Sequence, residues 1–442
     1  MIFSLACIFI AILWIVLGTS LTKIHPFLVL LSAALFLGFL LGIPPLKSLS
    51  LIQLGFGQIV EKIGLLILFG TVIGVAMEQS NATLSLANGI LKTLNRLPLP
   101  YAISSIGYIV SIPVFCDAAF VILSHLNKTL SKQTKTPLVG LTVALSTGLF
   151  APHVLVPPTP GPLAAAANLQ LENLFLLIGM GALIALILII VGGAYGNYLS
   201  KNYPYIADSK QQESNPKETI LPPFFNAVLP ILAPIILMCL GTFLKFLPNT
   251  FPGLDWIEFL TTPTIALGIG MLFAFLLVKV DVKAFLNISI KKGIEQAAPI
   301  LIITGMGGAL GTIIQTIPLE TYAASIATLD NLGILIPFLI AALLKSAQGS
   351  STVAIITTSS LIFPLLPILG MDSEMGKVWA IMSLGVGSMT ISHANDSYFW
   401  IVAQMSGMDV KTAYRTHTLG TLIQGVVGLL VVWIGYWIWA SF

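Results

Sequence analysis

Charge is scarce in this sequence. Only 8% of its 442 residues are Asp, Glu, Lys or Arg, and arginine occurs twice, at Arg96 and Arg415. An average soluble protein carries charge on about a quarter of its residues. The formal net charge of +3 is also small, so the composition does not indicate a partner such as nucleic acid. The composition therefore argues against an ordinary soluble domain and against a nucleic-acid-binding protein.

Cysteine is scarce as well. The three cysteines, Cys7, Cys116 and Cys239, are too far apart for a metal-ligand motif and form no pairing framework. The sequence also lacks the HExxH motif of zinc hydrolases. We therefore expect no metal centre, no cofactor and no enzymatic activity.

Apolar residues are abundant. They make up 57% of the chain, and the mean hydropathy is +0.99. Apolar runs of about 20 residues, the length that crosses a bilayer as a helix, recur along the whole sequence. Because only helices and closed barrels satisfy the backbone in lipid, runs of this length predict an all-α polytopic membrane protein in contact with membrane lipid.

One hydrophilic segment divides the chain nearly in half. Residues 200–222 separate an N-terminal membrane half, 1–199, from a C-terminal membrane half, 223–442. By the positive-inside rule, lysine-rich loops lie in the cytoplasm, so the linker should be cytoplasmic. The same rule places further basic clusters in the cytoplasm and the two loops without Lys or Arg, 248–261 and 317–332, outside; the basic clusters are 92–96, 128–135, 279–292 and 411–415.

Three unusual segments recur in the same order in both halves. A glycine-rich helix, LLILFGTVIGVAMEQS or ILIITGMGGALGTIIQT, is followed by a polar interruption, SIPVFCDAAF or SAQGSSTVAI, and then by a second one, APHVLVPPTPGP or ISHANDSYFW. Such an ordered recurrence indicates an internal repeat. We expect the glycines of the first segment to allow close helix packing rather than to contact a ligand: Gly70, Gly74, Gly305, Gly307, Gly308 and Gly311.

Interrupted apolar segments at matching positions of two halves predict the binding site of a transporter. The N-termini of the resulting half-helices carry partial positive charge and free N–H groups, which suit an organic anion in a chain with so few arginines. The candidate substrate-binding residues lie in these interruptions: Ser111, Pro113, His153, Thr159, Ser346, Gln348, Ser350, Ser351, Thr352, His393, Asn395 and Ser397.

Two carboxylates in the interruptions, Asp117 and Asp396, are candidates for proton coupling, because charge at membrane depth is costly and usually functional. The alternative is that each is a helix cap. Lys345 could be a counter-charge for the substrate or could extend to the membrane surface. The two histidines of the interruptions could carry protons or be neutral hydrogen-bonding groups.

At these residues the chain resembles the gluconate permease family of the ion-transporter superfamily. The resemblance covers most of the chain and rests on four motifs together: SIPVFCDAAFVIL, PHVLVPPTPGPLAAA, KSAQGSSTVAI and SHANDSYFW. It implies a multi-pass protein of the bacterial inner membrane with two inverted repeats, each containing a re-entrant hairpin and a broken transmembrane helix. It also implies proton symport of a sugar acid, with gluconate the usual substrate.

Two positions depart from the pattern of the family. Cys116 and Asp117 stand where relatives often have Phe-Glu, and Thr159 replaces the histidine of a Pro-Pro-His-Pro motif. A threonine cannot titrate near neutral pH, so substrate choice and proton linkage could both differ here. Other small acids, such as glycerate or D-serine, are therefore alternative substrates, and sodium is an alternative coupling ion.

These observations predict a secondary transporter that imports a small hydroxycarboxylate by alternating access. A channel would need a continuous pore with a repeated filter, which two dissimilar sets of interruptions do not suggest. The resemblance leaves a homodimer open, but no segment of the sequence identifies its interface.

Overall fold

The described part of the protein is helical. The computed structural model describes residues 2–20, 22, 24–205, 221–244, 254–278, 281–317, 333–394 and 396–441. In the N-terminal half the helices are α1 Ile2–Ser20, α2 Pro26–Leu40, α3 Pro45–Gln79, α4 Ala82–Thr93, α5 Leu99–Val110, α6 Cys116–Thr134, α7 Leu138–Leu155, α8 Pro160–Asn168 and α9 Leu174–Asn202. In the C-terminal half they are α10 Phe224–Leu244, α11 Leu254–Thr261, α12 Pro263–Phe275, α13 Val282–Ile314, α14 Leu335–Gln348, α15 Ser351–Ile362, α16 Glu374–Met389, α17 Ser397–Ser406, α18 Val410–Ala413 and α19 Leu419–Ala440.

The chain is a multi-pass membrane protein. Six of the described helical segments are long and apolar enough to cross a bilayer, and α11 with α12 forms a further candidate that is bent by 68°. The outward faces of the helices are apolar: Leu183 is 56% exposed, Phe225 69% and Trp437 63%. Such faces suit contact with lipid tails.

The helices of the two halves follow one another at nearly constant spacing. The long helix α3 begins at Pro45 and α13 at Val282, which are 237 residues apart. The starts of α7 and α16, Leu138 and Glu374, are 236 residues apart. Similar spacings of 235 to 237 residues relate α2 to α12, α5 to α14, α6 to α15, α8 to α17 and α9 to α18.

Each half contains a helical hairpin whose first arm is short. The 12 residues of α5 and the 14 of α14 give lengths of about 18 and 21 Å at 1.5 Å per residue, less than the hydrocarbon thickness of about 30 Å. The turn after α5 leads into α6, and only Gly349 and Ser350 separate α14 from α15. Arms of this length fit hairpins that enter the bilayer and turn back within it.

Each half also contains a helix with a break. Residues 156–159 separate α7 from α8, and residues 390–396 separate α16 from α17. In the second break Ile391 has a φ of 58°, a left-handed conformation that is rare for a β-branched residue and that is often found at functional sites.

The two broken helices meet end to start. Glu374 at the start of α16 accepts the backbone N–H groups of Glu172 and Asn173, just after α8, at 3.1 and 3.2 Å. Lys377 donates to the carbonyl of Gln170 at 3.0 Å. The end of α7–α8 and the start of α16–α17 therefore lie together, so the two broken helices run in opposite directions.

Candidate functional site

Three helix N-termini converge on one cavity of about 400 Å³. They belong to α6, the second arm of the first hairpin; α15, the second arm of the second hairpin; and α17, the helix after the second break. Their free N–H groups and partial positive charge favour an anion. The volume is within the range of small-molecule sites.

Asp117 lies in the first turn of α6 and lines the cavity. Its Oδ1 is 3.6 Å from the Sγ of Cys116, which donates to it, and its carboxylate interacts with the side chain of Ser397 at the start of α17. The first interruption and the last one are therefore brought together, as the sequence predicts.

Ser350, Ser351 and Thr352 form the cavity wall at the start of α15. Ser350 is the N-cap, and its hydroxyl accepts the N–H of Val353 at 3.3 Å. The first turn of α15 thus presents backbone N–H groups and hydroxyls, which suit a carboxylate or a polyol.

Asp396 is the N-cap of α17 and lines the same cavity. Its Oδ1 accepts the N–H of Tyr398 at 3.0 Å, and its Oδ2 accepts the hydroxyl of Ser392 and the ammonium of Lys345, each at 2.6 Å. The helix-cap interpretation is therefore correct, and the ion pair adds a second role. Three donors to one carboxylate stabilise its charged form.

Lys345 is buried in the protein and does not extend to the membrane surface. It is 1% exposed, donates to Asp396 and to the carbonyl of Gly349 at 2.8 Å, and lies 5.4 Å from the ring centroid of Phe150. Since Asp396 and Phe150 both line the cavity, this buried cation lies directly behind the cavity wall.

His153 on α7 supplies a polar group on another side of the cavity. It is 6% exposed, and its ring packs against Phe115 with centroids 5.9 Å apart. Its Nδ1 has no hydrogen-bond partner within the described residues. Because burial of an unpaired polar atom is unfavourable, His153 is suited to hydrogen-bond a ligand.

Several predicted residues lie outside the cavity lining. The hydroxyl of Thr159 donates to the carbonyl of Val156 at 2.5 Å instead. Asn395 lies outside the described residues. The other predicted residues that do not line the cavity are Ser111, Pro113, Ser346, Gln348 and His393.

The structure also adds residues that the sequence did not indicate. Phe150 and Tyr398 line the cavity, as do Gln296, Pro299 and Ile300 from the uninterrupted helix α13. Ser392 and His417 lie behind it in a buried hydrogen-bonded chain. Tyr398 and Ser392 belong to a conspicuous motif, whereas α13 contributes from a helix without a break.

Comparison with known proteins decides the family. Residues 3–438 match the model of the GntP family permeases. The chain belongs to this family. GntP permeases are membrane transporters, so the protein is a transporter and not an enzyme. Its resemblance to gluconate permeases is thereby confirmed.

Relatives of this GntP permease match over nearly their whole length. A permease of Haemophilus influenzae is 34% identical, with 93% of this chain and 88% of the relative covered. The D-serine transporter DsdX of Escherichia coli is 30% identical, with 97% of both chains covered. A gluconate permease of Pseudomonas aeruginosa is 28% identical, with 93% and 92% covered.

The fold is also found in a solved transporter. The YdaH transporter of Alcanivorax borkumensis superposes with a TM-score of 0.66 at 16% identity, covering 93% of this chain and 99% of the other. The similarity establishes a shared helical membrane fold.

Proposed function

We propose that this permease imports a small hydroxycarboxylate, gluconate or a similar sugar acid, by proton symport. The observation that carries the proposal is the convergence of three helix N-termini on one cavity. The hydroxyls of Ser351 and Thr352 would bind the hydroxyl groups of the substrate, and His153 would supply a further hydrogen bond. Gluconate and D-serine are substrates named for relatives of the chain.

Asp117 links the proton to the substrate in this proposal. Its carboxylate lies in the cavity, where it repels an incoming anion. A proton on Asp117 removes that repulsion, so the anion and the proton enter together. Asp396 is the second candidate, although a proton there would leave Lys345 buried without its counter-ion.

The transport cycle we propose is alternating access between two inverted repeats, 1–199 and 223–442, joined by a cytoplasmic linker, 200–222. The recurring helix spacing and the opposite directions of the two broken helices support this division. Each repeat would contribute a re-entrant hairpin and a broken helix. Movement of one repeat against the other would expose the cavity to each side in turn.

The cellular location we propose is the bacterial inner membrane. A relative from Escherichia coli that is 27% identical, with 97% of this chain covered, is named an inner membrane permease. Import from the periplasmic side into the cytoplasm fits that location, because the proton gradient across this membrane is directed inward.

D-serine is the alternative substrate, because the relative named for it is as similar as the one named for gluconate. Sodium is the alternative coupling ion. Both alternatives are decided by the same preparation, the purified protein in liposomes.

The test is uptake of labelled gluconate into these liposomes under an inward proton gradient. We expect gradient-stimulated uptake, inhibited by an excess of unlabelled gluconate. Stronger inhibition by D-serine or glycerate would identify a different acid. Loss of uptake on removal of sodium at constant pH would contradict proton coupling.

A further inference from the structure

A chain of buried polar groups runs from the cavity wall into the protein. Asp396 accepts a hydrogen bond from Ser392, and the Ser392 Oγ lies 3.1 Å from the Nε2 of His417. The Nδ1 of His417 lies 3.0 Å from the Oγ of Ser146 on α7. His417 is 0% exposed, so both of its ring nitrogens depend on these two hydroxyls. The proposed function does not use His417.

A wide helical turn positions this histidine. Residues Tyr414–Thr418 form one π-helical turn between α18 and α19. Turns of this kind insert an extra residue into a helix and occur frequently at functional sites. The hydroxyl of Thr418 donates to the carbonyl of Ser392 at 2.6 Å, so the turn is fixed to the second break.

Hydrogen-bond accounting ties the proton count of His417 to the charge of Asp396. The hydroxyl of Ser392 donates to Asp396 at 2.6 Å, and that of Ser146 donates to the carbonyl of Val143 at 3.1 Å. Each hydroxyl has a single hydrogen, so both serine oxygens are left to accept from His417. A neutral imidazole can donate from only one nitrogen. The arrangement is therefore complete when Asp396 is ionised and His417 carries two protons.

The groups around His417 are few. Asp396 and Lys345 face it across Ser392, and the ring of Tyr398 from α17 lies 5.6 Å away. Asp117 and Cys116 lie beyond Tyr398 in the cavity. From α7 the contact is the hydroxyl of Ser146. Asp396 is therefore the proton acceptor that His417 can reach through one hydroxyl.

We infer that His417 is the second proton-binding position of the transport cycle, after Asp117. The proton on Nε2 moves to the Oγ of Ser392 while the hydroxyl proton of Ser392 moves to Oδ2 of Asp396. The imidazolium and the carboxylate become a neutral imidazole and a neutral acid, and Ser392 is unchanged.

Transfer of this proton prepares the site for an anion. Once Asp396 is neutral, Lys345 remains as a buried cation without a counter-ion, directly behind the cavity wall. A buried unpaired charge is strongly unfavourable. The carboxylate of a substrate in the cavity compensates it, so the second proton and the anion stabilise each other.

The inference rests on the proposed proton symport and makes a separate prediction about charge. A monoanion that enters with two protons brings in one net positive charge, whereas with one proton it brings none. For one net charge, a potential of 100 mV, negative inside, changes the equilibrium accumulation about 50-fold. A pH gradient drives uptake in both cases.

The experiment compares uptake of labelled gluconate driven by potential alone with uptake driven by a pH gradient alone. If gluconate uptake is too weak, D-serine and glycerate, which the competition assay also uses, serve as the probe. We expect the wild type to respond to both driving forces, and His417→Gln to respond to the pH gradient only. His125→Gln, which removes an exposed imidazole on α6, is the matched control and should behave as the wild type.

Ser392→Ala provides a second route to the same result, because it keeps the imidazole but removes the hydroxyl that links it to Asp396. A voltage response that survives in His417→Gln would overturn the inference, as would a wild type that ignores the potential. If both variants are folded and lose all uptake, His417 has a structural role and the inference is wrong. A wild type that responds to neither driving force with any of the three acids contradicts the proposed function itself.

Discussion

Two carboxylates reach the cavity in different surroundings. Asp396 accepts three hydrogen bonds, one of them from Lys345. Asp117 makes no ion pair within the described ranges and contacts Cys116 and Ser397 instead. An incoming anion therefore meets a compensated charge at Asp396 and an uncompensated one at Asp117. This difference is why we assign the first proton to Asp117.

Replacement Asp117→Asn tests that assignment, because asparagine resembles the protonated acid but cannot release a proton. We expect exchange of labelled for unlabelled substrate to persist, since exchange needs no net proton movement. Accumulation should lose about tenfold per pH unit of gradient, the contribution of one proton. Exposed Glu61 on α3 provides the control, Glu61→Gln. Wild-type accumulation by Asp117→Asn would exclude Asp117 from coupling.

The two ion pairs of the described residues should contribute very differently to stability. Lys345→Met leaves Asp396 buried without its cation, which costs about 3 kcal/mol. Lys377→Met removes a partly exposed pair with Glu374, at 3.3 Å, which costs at most about 1 kcal/mol.

Thermal unfolding of the purified variants in detergent measures this difference. The double variant Lys345→Met with Asp396→Asn should recover part of the loss, because neither charge is then left alone. Equal losses for Lys345→Met and Lys377→Met would show that the buried pair has no special role in stability.

At the scale of elements, α3 and α13 form the most extensive helix pair. At their closest approach a Cβ on Gly55 would lie 2.5 Å from the carbonyl oxygen of Gly308. A Cβ on Gly308 would in turn lie 2.7 Å from the carbonyl oxygen of Gly55. The wall of the cavity that α13 supplies is therefore held in place by backbone contact between the two long helices.

A pair of alanine substitutions in α13 tests this contact. Gly308→Ala should separate the helices and destabilise the fold by about 1 to 3 kcal/mol, the usual cost of overpacking. Gly311→Ala, three residues on, meets nothing within 4 Å and should gain up to about 1 kcal/mol from helix propensity. Thermal unfolding and the yield of monodisperse protein report both effects. Similar behaviour of the two variants would argue against close packing at Gly308.

The breaks were predictable from the sequence, whereas their neighbours were not. Asp117, Ser350 and Asp396 interrupt apolar runs, so their unusual composition shows locally. Gln296 and His417 lie on other helices, and no local pattern indicates which helix passes a given break. The predicted residues outside the lining, such as Thr159, share the composition of a break but bond to their own backbone. Composition thus located the breaks, and packing determined which residues face the cavity.

At the scale of the whole molecule, the contact between Glu374 and the segment after α8 bears on how the repeats are oriented. Parallel repeats would place the start of α16 on the same side of the membrane as the start of α7. Inverted repeats would place it on the opposite side, together with the end of α8. The observed contact joins α16 to the end of α8, which favours inversion.

Labelling of single cysteines from each side of the membrane tests this orientation. In a version without the three native cysteines that still transports, we place cysteine at exposed Gln133, Glu172 or Asp372. Inverted repeats and the positive-inside rule predict that an impermeant thiol reagent reaches Glu172→Cys and Asp372→Cys from outside, and Gln133→Cys only from the cytoplasm. Parallel repeats predict instead that Asp372→Cys behaves like Gln133→Cys, because their positions in the two repeats nearly correspond. Labelling of Asp372→Cys therefore distinguishes the two topologies, and its agreement with Gln133→Cys would contradict alternating access between inverted halves.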